Sequence, residues 1–478
     1  MGCDDIPSPI RTTLTSEEPS ASGWLTCFAG NLLGSIAFAP RLGRFSGLQQ
    51  LDRRPNRYRV GDLMPFRVVH LGKYYPPSAG GIESHTQTLA RAQAQLGCDV
   101  RVVVVNHATV SGFDATFDRF ARTPFVEEMD GSIRVTRVGR WANLAKLDVT
   151  PGLPGVLRRI QRRPPDIWHL HTPNVTMMLA VLANPQIRPL VITHHSDIVR
   201  QRVTKYAVRP LEHAIYRRAD RVLSDSPGYI DGSPLLKRYL AKVDVLPLGI
   251  DLTPFQYPSP AAIEHSIRFE EWLGSPLWLC VGRLVYYKGL AIALEALREV
   301  PGTLLVIGTG PLEAELKAKA AELGVADRVV WYGHATPDEL VGAYRAATAL
   351  WFPSVARSEG FGLVQVEAMA SGCPVINTAI SGSGVAWVCR DGREGLTVPM
   401  NDPVAFSTVS KRLLDEPGLR EKLAAGARAR AAAEFDWLVM GGRSLEIYRH
   451  VLDQAVSRPT SRNRIIEPQA SDLCASYT

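Results

Sequence analysis

Two carboxylates stand out in the run SEGFGLVQVEAMASG, residues 358–372: Glu359 and Glu367, eight positions apart. Glu359 precedes a Gly–Phe–Gly step, and Glu367 lies in an apolar run that Gly372 and Pro374 close as a helix. A helix start offers unpaired N–H groups and the positive end of its dipole, so the backbone at Gly360–Gly362 reads as an anion site. Glu359 at that mouth reads either as a cap or as a ligand contact. Glu367, inside an otherwise apolar helix, needs a partner. Paired glycosidase carboxylates lie ~5–9.5 Å apart, whereas eight helical residues span ~12 Å. The spacing therefore fits two contacts along one elongated ligand.

Three further groups carry chemistry. In VGRLVYYKGL, residues 281–290, Arg283 and Lys288 follow a buried strand, with Gly289 behind them. Two permanent cations at a strand end suit the neutralisation of a leaving diphosphate. In GKYYPPSAGGIESH, residues 72–85, Gly80 and Gly81 sit between a strand and a helix, as a diphosphate cradle or a plain tight turn. Histidines come in two pairs, His169 with His171 and His194 with His195, each ending a strand. No carboxylate stands at metal-motif spacing beside them, and the chain holds no D-x-D triplet, so no metal site is expected. The seven cysteines are scattered without a C-x-x-C pair, which fits a reducing compartment.

The elements that must position these residues alternate. RVVHL is a buried strand, YYPPSAGG a loop, Ile82–Leu96 a helix and DVRVVVV a second strand, the signature of a parallel sheet. Short strands recur at 166–173, 189–196, 221–227 and 243–251. After a proline-spaced linker at 251–262, strands at 276–284, 302–310, 328–334, 348–354 and 373–379 repeat the logic, with helices at 312–323 and 337–347. The fold class is α/β: two doubly wound, Rossmann-like domains facing a cleft, at 64–250 and 263–433. A closing helix at 434–457 is expected to pack back toward the first domain.

Composition sets the frame. With 46% apolar and 21% charged residues, the 478-residue chain is globular and long enough for two or three domains. Its net charge of +7 points to phosphate-bearing ligands or an anionic membrane surface. Residues 1–63 and the tail at 458–478 lack periodicity and read as disordered or weakly ordered, with Met64 a candidate start of translation. The uncharged run 23–40 is rich in small and polar residues, and Glu17 and Glu18 before it do not suit a signal peptide. The expected location is cytoplasmic, at most peripheral at the inner face of the membrane.

Together these motifs resemble the glycosyltransferases of family 4, which have the GT-B fold. The resemblance runs from about residue 66 to about 455 and rests on EGFGLVQVE, GRLVYYKG and GGIE in that family's order. It implies metal-independent, retaining transfer of a sugar from a nucleotide diphosphate donor, which is a substrate rather than a cofactor. By the same resemblance Glu359 contacts the donor sugar and Glu367 the ribose. Arg283 and Lys288 hold the diphosphate, helped by the Gly80–Gly81 loop and the amides of Phe361, Gly362 and Leu363. His195 lies near the reacting centre, with His194 as its neighbour. The implied chemistry is front-face attack, with the departing phosphate taking the acceptor's proton. Mannose is the leading donor sugar, in surface-polysaccharide or glycolipid synthesis.

On the acceptor side, RRIQRR at 158–163 and the seven Arg or Lys residues of 200–221 make the first half basic. That face suits docking on anionic lipid and a saccharide or lipid-linked saccharide acceptor, with no nucleic acid partner. Rival readings are a sugar-nucleotide epimerase or phosphorylase of the same architecture, and a non-catalytic nucleotide-sugar binding protein. A nicotinamide dehydrogenase is disfavoured because GTGPLEA, residues 308–314, carries Glu313 where the third glycine of G-x-G-x-x-G belongs.

Overall fold

The computed structural model describes residues 66–457, apart from Ala79, 107–123, 145–146 and 198–201. The N-terminal extension at 1–63, its uncharged run, Met64 and the tail at 458–478 lie outside the described residues.

The first half contains β1 (Arg67–Leu71), β2 (Asp99–Val105), β3 (Phe125–Asp130), β4 (Ile133–Val138), β5 (Ala142–Leu144), β6 (Leu147–Val149), β7 (Ile167–Thr172), β8 (Leu190–His194), β9 (Arg221–Ser224) and β10 (Val243–Val245). Eight of these strands form one sheet in the order β10-β9-β8-β7-β1-β2-β4-β3. Its strands pair in parallel except β3, which runs antiparallel to β4 at the edge. The runs VVHL and VRVVVV, apolar but for His70 and Arg101, suit strands buried on both faces. The β3–β4 hairpin was not among the expected elements. Gly131 adopts φ +60° at its turn, the conformation that a two-residue hairpin loop demands. Exposed Glu127 and Glu128 keep that edge polar.

The second half contains β11 (Leu277–Val281), β12 (Thr303–Ile307), β13 (Val329–Gly333), β14 (Ala349–Phe352), β15 (Val375–Thr378) and β16 (Gly395–Val398). They form one parallel sheet in the order β13-β12-β11-β14-β15-β16. This is the 3-2-1-4-5-6 order of a Rossmann sheet, whose strand order reverses between β11 and β14. In the first sheet the reversal falls between β1 and β7. Loops after the carboxyl ends of those four strands therefore border the two crevices where such sheets bind ligands. The motifs lie on these loops: Gly80–Gly81 after β1, Arg283 and Lys288 after β11, and Glu359 after β14.

The helices used below are α1 (Gly81–Gln95), α2 (Arg202–Arg218), α3 (Pro227–Gly232), α4 (Pro260–Leu273), α5 (Pro337–Ala346), α6 (Leu363–Ser371) and α7 (Trp437–Ser457). The segment 251–262, read as a linker, holds a helical turn at Thr253–Gln256 and the start of α4. Ser259 accepts a hydrogen bond from the Ala262 N–H and Pro260 takes the first position, which together start the helix. Helix α7 packs back onto the first half as expected. Its Met440, Leu445, Tyr448 and Val451 share a buried cluster with Leu89 of α1 and Val68, Val102 and Val104 of the sheet. A Cβ on Gly441 would meet the Ala92 Cβ at 2.8 Å, so glycine permits this close crossing of α7 over α1.

Candidate active site

The centre of the second half's crevice is an ion pair. Lys288 Nζ lies 2.7 Å from Glu359 Oε2, with side chains 13% and 10% exposed. Ser354 Oγ donates to the same carboxylate oxygen at 3.4 Å, and the ammonium stands 5.0 Å from the Phe352 ring centroid. Two glycines shape the approach. A Cβ on Gly282 would meet Lys288 Cε at 3.2 Å. Gly289 adopts φ +65°, and a Cβ there would meet the Pro353 carbonyl at 2.0 Å. Arg283 is exposed at the carboxyl end of β11.

Helix α6 begins at Leu363 after Gly362, which adopts φ +78° and supplies no side-chain cap. The first turn therefore has no capping side chain, and the Gln365 N–H donates to the Gly362 carbonyl at 2.9 Å. Phe361 contributes only backbone there. Its ring is 3% exposed and packs edge-on to Phe435. Glu367 lies in the second turn of α6 and accepts a hydrogen bond from Tyr344 Oη of α5 at 2.7 Å. Burial pushes the Glu367 carboxyl up, while Tyr344 and Lys288 oppose the shift. Burial and the Glu367 charge hold Tyr344 well above its ordinary range, so it remains a donor. Glu359 and Glu367 are thus joined electrostatically through Lys288.

On the first half, α1 opens at Gly81, which has nothing within 4 Å of an added Cβ. A Cβ on Gly80 would meet the Glu83 carboxylate at 2.1 Å. Glu83 thus folds back over the start of α1. Burial raises its carboxyl, opposed by its own N–H and by Lys73.

Strand parity separates the neighbouring histidines. His195 extends β8 by donating its N–H to the Thr172 carbonyl at 3.0 Å, and its ring stacks on His171 with centroids 5.3 Å apart. His194 turns to the opposite face, against Tyr216 and Tyr229, and its Nε2 lies 3.3 Å from Asp197 Oδ1. Burial, then neighbouring histidines, hold His169, His171 and His195 well below the ordinary imidazole range, so all three are neutral near pH 7.

A second ion pair closes the seam between the halves. Arg357, in the loop before α6, reaches Asp197 Oδ2 at 2.7 Å and donates to the Gly382 carbonyl at 2.8 Å. Its guanidinium lies 4.6 Å from the Tyr229 ring centroid. Burial alone would raise Asp197, but His194, Ser233 and Arg357 hold it below the usual carboxylate range. Helix α3 presses close here: a Cβ on Gly228 would meet the Ser383 carbonyl at 2.4 Å.

Residues 80–249 match the model of the glycosyl transferase 4-like domain, and residues 264–430 match that of the glycosyl transferases group 1. The D-rhamnosyltransferase WbpZ of Pseudomonas aeruginosa is 32% identical over 365 residues, covering 76% of this chain and 91% of that protein. The chain belongs to the family 4-like glycosyltransferases. The O-antigen chain mannosyltransferase C of Escherichia coli is 29% identical to this glycosyltransferase, over 76% of the chain and 93% of the relative. The Anabaena protein HepE, solved in complex with UDP, superposes with a TM-score of 0.62 at 19% identity, over 80% of this glycosyltransferase and all of that chain. That likeness supports the GT-B fold.

Sequence reasoning missed several residues of the glycosyltransferase's crevice and seam. Tyr344 stands 23 positions before Glu367 and meets it only because α5 packs beside α6. Arg357 and Asp197 lie 160 positions apart. Glu83 and Asp197 were in view, in GGIE and VITHHSD, but neither motif said where its carboxylate turns. No helix among the described residues is long and apolar enough to cross a membrane.

Proposed function

We propose that this glycosyltransferase moves a hexose, mannose first, from a nucleotide diphosphate sugar to a saccharide or lipid-linked saccharide acceptor. The transfer retains anomeric configuration, needs no metal ion, and serves assembly of cell-surface polysaccharide or glycolipid. The observation that carries the reading is the Lys288–Glu359 pair beside the uncapped start of α6, at the point where the second sheet's strand order reverses. The names of the rhamnosyl and O-antigen mannosyl relatives support the sugar class and the product class.

In this reading Lys288, Arg283 and the first amides of α6 bind the diphosphate, Glu359 meets the sugar hydroxyls, and Glu367 meets the ribose. The bond from the anomeric carbon to the β-phosphate oxygen breaks, with its electron pair going to the phosphate. The acceptor oxygen bonds to the same face of the anomeric carbon, and its proton passes to the departing phosphate. Catalysis is then charge stabilisation plus positioning. The test is proton NMR of the product formed from GDP-mannose and a mannoside acceptor in EDTA. An α-linked product and undiminished turnover are expected. A β-linked product, or turnover lost to chelation and restored by magnesium, would overturn the reading.

A further inference from the structure

Five histidines from four elements gather on the α1-facing side of the first sheet: His70 of β1, His85 of α1, His169 and His171 of β7, and His195 after β8. Two trios among them have ring nitrogens within 4.8 Å of one another: His70, His169 and His171, and His85, His171 and His195.

The hydrogen bonds distinguish the trios. In the first, both nitrogens of His70 and of His169 are already engaged. His70 meets Gln93 and His171, while His169 meets Tyr448 and Thr193. In the second, His85 is 3% exposed, and neither of its ring nitrogens has a hydrogen-bond partner among the described residues. Its ring stands edge-on to His195 and His171, with centroids 5.0 and 6.0 Å away.

The proton positions follow from one end. The Ser444 hydroxyl donates to the Gly441 carbonyl, so its oxygen accepts from Gln93 Nε2 at 2.9 Å. This turns Gln93 Oε1 toward His70 Nε2, which must carry a proton. The neutral His70 ring then presents a lone pair at Nδ1, and His171 Nε2–H donates to it at 3.0 Å. His171 Nδ1 is left as an acceptor, and His195 Nε2–H donates to it at 3.0 Å. An ion taking the place of that one shared proton, which leaves to solvent, would find His171 with its other N–H already donated to a fixed acceptor, as metal-ligating histidines have it.

We propose that His85, His171 and His195 form a site for one divalent transition ion of the zinc class, and that the bound ion inhibits transfer by holding His195 against His171. The inhibitory half rests on the reading that His195 acts near the reacting centre. Zinc–nitrogen bonds of 2.0–2.1 Å set tetrahedral N–N edges of about 3.3 Å. His171 and His195 are 3.0 Å apart, within a few tenths of that edge. His85 has to close by at most about 1.5 Å from the 4.8 Å limit. Partly exposed His195 leaves the fourth position toward the crevice, for water or a substrate oxygen.

The experiment titrates the full chain with cobalt(II), without donor, and reads the visible bands of a tetrahedral complex. Competition with zinc(II) then gives stoichiometry. One ion per chain is expected, with affinity at least tenfold lower in His85→Gln and in His195→Gln, and circular dichroism reports that both variants are folded. Loss of the Gln93 anchor in Gln93→Leu is expected to lower affinity ~10–100-fold. In the transfer assay, zinc should inhibit the wild type reversibly, and His85→Gln should keep basal turnover while losing the inhibition. Equal cobalt spectra for wild type and folded His85→Gln, or no binding at 100 μM ion, would overturn the site. Tight binding without inhibition would overturn the coupling to transfer. If folded His195→Gln loses cobalt but keeps full kcat in metal-free buffer, the site stands and the catalytic reading of His195 falls.

Discussion

At the residue scale, the crevice divides its two glutamates by what each touches. Glu359 is paired with Lys288, whereas Glu367 is held by Tyr344 deeper along α6; in the proposed reading the first meets the donor sugar and the second the ribose. An interaction that strengthens only in the transition state sets kcat, and one made equally in ground and transition states sets KM. Glu359→Gln is therefore expected to lower kcat on the order of 10²-fold, and Glu367→Gln mainly to raise donor KM. Donor-saturation kinetics on both variants check the split. Near wild-type kcat for folded Glu359→Gln would reduce that residue to a structural partner of Lys288. The loop should survive the change, because the Ser383 hydroxyl holds the Glu359 carbonyl and the Gly384 N–H holds the Gly360 carbonyl at 2.7 Å. Tyr344→Phe removes the hydroxyl that orients Glu367. A donor KM raised about five- to tenfold at constant kcat is expected, matching the ~1 kcal/mol of one hydrogen bond. An unchanged KM would remove Tyr344 from the binding machinery.

At the element scale, the seam between β9–α3 and the loop before α6 stores a pH dependence. Asp225 is 7% exposed, and Gly360 of the site loop lies close to it. Burial pushes its carboxyl up to about 7, against the opposing Ser226 hydroxyl and Arg357 charge. A carboxyl whose folded pKa is raised binds more protons folded than unfolded. Stability is then greatest at low pH and is lost as pH rises from the unfolded value near 3.8 through about 7. One pKa unit is worth about 1.36 kcal/mol, so the loss is bounded at about 4 kcal/mol. Asp225→Asn should abolish this component and raise the melting temperature at pH 8 relative to wild type, with little change at pH 4. Melting curves of both proteins across that range are the check, and parallel profiles would refute the assignment.

At the scale of the whole molecule, the basic charge gathers on the first half. Arg158, Arg159, Arg162 and Arg163 are exposed, as are Arg188, Arg209, Arg217 and Arg238. The last cluster is close enough that, after burial, the charges of Arg238, Arg209 and Arg217 hold His213 below the ordinary imidazole range. Each basic side chain near an anionic bilayer contributes about 1 kcal/mol. Sedimentation with vesicles of 30% phosphatidylglycerol should therefore capture the protein at low salt and release it at 0.5 M NaCl. The Arg217→Glu, Arg238→Glu pair should weaken capture by at least tenfold. Equal capture on neutral phosphatidylcholine vesicles would show that charge is not what docks it.

Legible in the residues alone were the layered α/β class, most parallel strands of the two Rossmann-like halves, the closing helix, and the motifs at the crevice. These depend on local quantities: apolar run length, glycine before a helix start, and cations placed after a strand. Not legible were the β3–β4 hairpin, whose polar edge strand lacks an apolar run, and the short β5–β6 pair and edge strand β16, whose three or four residues are too few to show a pattern. Nor did the sequence show that Lys288 and Glu359 form one pair, that Tyr344 holds Glu367, or that Arg357 ties the seam to Asp197. His194 and His195 are adjacent in sequence, yet a strand alternates its faces, so one joins the tyrosines and the other the histidine stack. His85 and the anchors of that stack on α7 meet only because α1 and α7 cover the same sheet face. Contacts between residues tens to hundreds of positions apart are set by which faces bury together, and that was decided only when the two sheets and the crossing helix packed.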